Sequence, residues 1–188
     1  AEHYLAAWRE RLQNRRTTVA VDNRGQLGKI AFNDDPADTR SAAAKDELAQ
    51  RLLGTIVPLP VEPVGPGAVW EVITVLRQGP LFVRQTATYT LAAYTPTSWK
   101  IHVKLLRVAE EQTVVDPSLP KGATADLIAL FRLLEGDVVI DPSRPHIASG
   151  TLTIESRLHT RLKLPGQAAT EQFFEDLGSV TFSSPPSR

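Results

Sequence analysis

The chain has 188 residues, 42% hydrophobic and 22% charged, a size and balance that suit one globular domain with a real core. Its 21 basic residues are matched by 21 acidic ones, so the whole-chain field that draws proteins to nucleic acid is absent and no nucleic-acid partner is expected. The absence of cysteine excludes disulfides, thiolate nucleophiles and thiolate metal sites, and no apolar run approaches the roughly 20 residues of a transmembrane segment.

In chain order, Tyr4, Leu5, Trp8 and Leu12 recur at helical spacing and predict an amphipathic helix over residues 1–16, with Arg9, Arg11, Arg15 and Arg16 gathered toward its end. Residues 17–33 alternate apolar and polar on both sides of Asn23, Arg24 and Gly25, which predicts a β-hairpin whose turn uses the Asn and the Gly for positive φ. A second helix is predicted over 36–54. Asp35 is placed to cap it, Pro36 suits its first position, Ala44, Leu48, Leu52 and Leu53 form one face, and Gly54 closes it. Residues 57–68 then hold Pro58, Pro60, Pro63, Gly65, Pro66 and Gly67, a hinge that cannot extend a helix because proline removes donors and fixes φ.

Beyond the hinge, residues 69–184 read as antiparallel strands, ahead of a loose tail at 185–188. Strands 69–76, 81–92 and 99–108 are separated by segments of turn composition. In the second of these, Phe82, Arg84, Thr86, Thr88 and Thr90 share one face and Val83, Ala87, Tyr89 and Leu91 the other. Residues 109–122 read as a polar loop. Residues 125–134 fit a helix or a buried strand, and context favours the strand. In the segment 148–164, Leu152, Ile154, Leu158, Leu162 and Leu164 alternate with Thr153, Glu155, Arg157, His159, Arg161 and Lys163, giving one dry face and one charged face. A final strand is expected around 173–182.

Chemistry-bearing motifs give little. His3, His102, His146 and His159 are scattered without metal-ligand spacing, and Asp34, Asp35 and Asp38 suit helix capping better than a cation loop, so no metal and no cofactor is expected. Neither a nucleophile elbow nor a phosphate-cradling glycine loop is present, and no carboxylate pair is singled out, so no catalytic residue is assigned. Trp70, Phe82, Tyr89, Tyr94 and Trp99 group in the central strands; of these, Trp70, Phe82, Tyr89 and Trp99 are the candidate wall residues of an apolar ligand site, the alternative being that they fill an ordinary core.

The hinge from Pro58 to Trp70, the strand at Tyr89, Thr90 and Leu91, the segment Gly136 to Pro145 and the segment Ser149 to Ser156 together resemble an uncharacterised family of bacterial envelope lipoproteins. Through it the chain is distantly similar to the LolA/LolB and LppX/LprG lipoprotein and lipid carriers. The resemblance implies a curved, half-barrel-like antiparallel sheet with helices on its concave side, a bacterial cell-envelope location that is periplasmic or outer-membrane anchored, and a lipid or an envelope protein as partner. It carries no catalytic residues. It also implies a start inside a longer protein, as does the missing methionine at position 1.

The sequence therefore predicts a single α+β domain, a long antiparallel sheet with two or three helices on one face. Its expected function is non-enzymatic binding of an apolar or lipid-like ligand. The alternative is a structural or adhesion module with a filled core that binds protein through its edges.

Overall fold

The computed structural model describes residues 17–22, 24–25, 27–32, 56–78, 81–114, 119–141 and 144–183. Nine strands are found among them: β1 (Thr17–Val21), β2 (Leu27–Phe32), β3 (Val69–Gln78), β4 (Leu81–Thr95), β5 (Ser98–Ala109), β6 (Gln112–Val114), β7 (Thr124–Asp141), β8 (Arg144–Lys163) and β9 (Thr170–Ser183). Strands β1 and β2 form a two-stranded antiparallel sheet. The other seven form one open antiparallel sheet in the order β3-β4-β5-β7-β8-β9, with β6 paired to β7.

The α+β architecture is thereby corrected: the described residues are all-β and contain no helix. Two of the expected helices, 1–16 and 36–54, lie outside the described residues. Residues 125–134, where context favours strand over a third helix, do form strand, within the 18-residue β7. Its apolar run suits either conformation locally, but β7 is hydrogen-bonded along both sides, to β5 and β6 on one and β8 on the other. That satisfies its backbone donors and acceptors without a helix. The loop expected at 109–122 also differs, since β6 continues the lane of β5 along β7, with Gln112 opposite Leu127 and Val114 opposite Ala125.

The side-chain period of two gives the large sheet a core face and an outer face. On the core face Val83, Ala87, Tyr89 and Leu91 of β4 lie beside Ile101, Val103 and Leu105 of β5, followed by Val138 and Ile140 of β7 and Leu152 of β8, all buried. Each such aliphatic side chain contributes on the order of 1.5–3 kcal/mol through removal from water. The outer face is wet. On it Lys100 meets Asp137 at 2.8 Å, His102 meets Asp137 at 2.9 Å and Glu135 at 3.4 Å, and Lys104 meets Glu135 at 3.7 Å. A further pairing joins Arg161 of β8 to Glu171 of β9 at 3.1 Å. Exposed pairs of this kind contribute roughly 0–1 kcal/mol each, so they decorate the sheet rather than hold it.

Residues 56–68 cross from the hairpin to the sheet. In the hairpin turn Gly25 takes φ 74°, and its amide donates to the Asp22 carbonyl at 3.0 Å. A Cβ there would lie 2.6 Å from the Val57 carbonyl oxygen, so the turn fits against the hinge only as glycine. The Leu59 amide donates to the Arg24 carbonyl at 2.7 Å, and Val57, 1% exposed, enters the main core cluster. Gly67 then donates to the Leu91 carbonyl at 2.7 Å, and the Leu91 amide donates to Ala68 at 2.9 Å, which leads the chain into β3.

Candidate functional site

Three of the four candidate wall residues fall on the core face. Trp70 of β3 lies opposite Tyr89 of β4, and the two rings stack with centroids 5.5 Å apart and planes inclined by 22°. The indole N–H of Trp70 donates to the Pro58 carbonyl at 2.7 Å, which ties the hinge to the first strand of the sheet. Trp99 is half-buried and packs with Trp70, Leu59, Val64 and Phe182 against the main core cluster. Phe82 stands apart, on the outer face and 62% exposed; its backbone N–H and C=O are held by the Gln112 side chain at 2.8 and 3.0 Å. The structure brings Trp70, Tyr89 and Trp99 to one cluster and places Phe82 across the sheet from them.

Burial pushes the Tyr89 hydroxyl up to about 12. Because the folded state holds this proton more tightly than the unfolded chain, the stabilisation is complete below pH 10 and is lost as pH rises from about 10 through 12. Replacing Tyr89 with Phe is expected to flatten that alkaline limb in a denaturation series from pH 9 to 12, by about 2–3 kcal/mol at its upper end. An unchanged limb in the Phe variant would assign the loss to other groups.

The core face also carries a feature that aromatic grouping missed. Register aligns Thr74, Gln85, Arg107, Arg132, Ser156 and Asp176 in one row across β3, β4, β5, β7, β8 and β9. The neighbouring row on one side is Val72, Ala87, Leu105, Leu134, Ile154 and Gly178. On the other side lie Leu76 opposite Val83, and Ala109, Leu130, Leu158 and Phe174 in sequence across four strands. A polar stripe thus divides two apolar clusters, one built around Tyr89, Ile101 and Val138, the other around Val83, Ala109 and Leu127. Within the stripe, Arg107 Nε donates to Gln85 Oε1 at 2.8 Å and Arg132 Nε to Ser156 Oγ at 3.3 Å. Gln85 and Ser156 are buried, 7% exposed each. Burial, with the Arg132 guanidinium as second cause, lowers the pKa of Arg107 from its ordinary value. The sequence signal was one of parity: Arg107 follows Trp99, Ile101, Val103 and Leu105 at even spacing, a charge where the pattern demands an apolar residue.

No family model, curated protein or solved structure matches this chain. Among the described residues, no three His, Asp or Glu side chains are placed to hold a metal ion, and no helix is long and apolar enough to cross a membrane.

Proposed function

We propose that the protein is a non-enzymatic carrier or receptor of the bacterial cell envelope, related to the lipoprotein and lipid carriers it resembles, which holds an apolar or lipid-like ligand against the core face of its sheet. The observation that carries this reading is the aromatic cluster beside the hinge. Trp70 and Trp99 are only partly buried and, with Leu59 and Val64, border a fully buried apolar floor of Leu91, Ile101 and Val138. That floor is already covered, so an apolar guest would be held by its partly exposed margin, the surfaces of Trp70 and Trp99 with Leu59 and Val64, where burial contributes roughly 25 cal/mol per Å². Native mass spectrometry of protein purified from a bacterial envelope fraction is expected to show a co-purifying lipid-sized adduct. A clean apo mass, together with no uptake of a fluorescent fatty-acid probe, would sink the reading.

A second reading, a structural or adhesion module, is favoured by β9. This edge strand exposes apolar side chains on both faces, with Phe173 at 71% and Leu177 at 80% on the outer face and Phe174 at 53% on the core face. Such an edge can accept a strand from a protein partner. On this reading, Leu177→Lys combined with Phe173→Lys abolishes capture of envelope proteins in a pull-down while the melting temperature is kept; capture that survives both changes removes its basis.

A further inference from the structure

The geometry points to an oxyanion subsite at Arg107 and Arg132, and we propose that the ligand of the core face is an anionic amphiphile, its head gripped by these two guanidiniums and its apolar chain lying toward Trp70 and Tyr89. This rests on the ligand-binding reading above and names the chemical class of that ligand. Arg107 and Arg132 are directly opposed in the β5–β7 ladder. Like charges at opposed positions repel, and here they do so on the face of the sheet that carries the core, where screening by water is weaker than on the outer face. On the outer face the same two strands set cations against anions, Lys100 with Asp137 and Lys104 with Glu135. The like pair is therefore a local departure from an otherwise complementary ladder.

The two arginines are held rather than loose. Each spends its Nε on a buried partner, Gln85 for Arg107 and Ser156 for Arg132, and no carboxylate is paired with either among the described residues. With the Nε–H groups fixed, the terminal nitrogens of both forks remain for an acceptor, and two planar forks side by side match the geometry of a carboxylate or phosphate. An anion between them would convert the repulsion into two charge-assisted contacts. Both arginines are half-buried, so the subsite is shielded without being closed. The apolar row beside the stripe lies between the arginines and the Trp70–Tyr89 stack; its Ala87 and Leu105 are buried, and Val72 and Leu134 are its half-buried members.

The test uses the full chain and three probes: dansylaminoundecanoic acid, its methyl ester, and inorganic phosphate as competitor. The acid is expected to bind at least about tenfold more tightly than the ester, the range of one to two charge-assisted hydrogen bonds. In Arg107→Gln and Arg132→Gln the acid-to-ester ratio should fall toward one. Arg107→Lys, which keeps the charge but not the fork, should give an intermediate ratio and covers the case in which a Gln variant fails to fold, as read by its melting curve. Millimolar phosphate should compete with the acid and not with the ester. Equal binding of acid and ester by the unaltered protein overturns the headgroup subsite and leaves the apolar reading standing. Binding of neither acyl probe overturns both. Competition by phosphate against acid and ester alike would place the anion elsewhere and also overturn the subsite.

Discussion

Gly150→Ala is expected to destabilise the fold by about 2–5 kcal/mol, a large part of the roughly 5–15 kcal/mol by which a domain of this size is stable. Gly150 sits within β8 at φ 151°, opposite Val138 in the most extensive pairing of the sheet. An added Cβ would lie 2.6 Å from the Asp137 carbonyl oxygen and 2.7 Å from the Val138 Cα. Both are backbone atoms of a strand hydrogen-bonded on its two sides, so no flexible side-chain end can move away, and β7 and β8 would have to separate. Val138 is 0% exposed at the centre of the main core cluster, and separation there would loosen its packing as well. Gly136, one step along the ladder, is under the same constraint from the Thr151 carbonyl. Gly178 in β9 is the control, because an added Cβ would meet nothing within 4 Å. Gly178→Ala should be neutral or stabilising by up to about 1 kcal/mol, as alanine loses less backbone entropy than glycine on folding. Urea denaturation of the two variants reads the difference. A Gly150→Ala midpoint equal to that of the unaltered protein would mean the strands can part at no cost, contrary to the close approach.

The period of two made much of the large sheet legible. The face of β4 that carries Val83, Ala87, Tyr89 and Leu91, and the face of β8 that carries Leu152, Ile154 and Leu158, follow from alternation alone, and both lie on the core face. The same alternation already separated Phe82 from Tyr89, since Phe82 shares its face with Arg84 and Thr86. Grouping aromatics by nearness in sequence ignored that parity, and the structure puts Phe82 on the outer face accordingly. What local pattern could not give is whatever depends on pairing. Strand β6 is three residues inside a polar stretch and exists because β7 extends past the end of β5 and offers it a partner. Residues 125–134 are ambiguous by local pattern and read as strand only from context; they are strand because both their edges are bonded, a non-local fact. The polar stripe is one residue per strand; only the register lines up Gln85, Arg107, Arg132 and Ser156. Each strand alone shows a single exception to its pattern, and single exceptions carry little weight in a sequence. Glycine within a strand marks close backbone approach at Gly136 and Gly150 but not at Gly178, so this signal too is decided by the pairing.

Trp70→Ala is expected to cost about 3–5 kcal/mol and Trp70→Phe only about 1–2 kcal/mol, and the difference separates what the ring does from what its N–H does. The phenylalanine variant keeps a ring to stack on Tyr89 but leaves the Pro58 carbonyl without the indole donor now 2.7 Å away. Pro58 has no N–H of its own, so its carbonyl is the only backbone polar group through which that residue can be tied down. Its neighbours anchor the crossing segment in two directions, Val57 into the core and Leu59 to the Arg24 carbonyl of the hairpin turn. Loss of the indole should therefore be felt first in this segment: the Leu59 amide should exchange with solvent faster in both variants, while the Val103 amide, in the centre of the sheet, should slow or speed only with global stability. Hydrogen exchange measured residue by residue distinguishes the two. If Leu59 and Val103 change together, Trp70 serves the sheet as bulk alone; if Leu59 changes by itself in the phenylalanine variant, the indole N–H is what fastens the hinge against the core face.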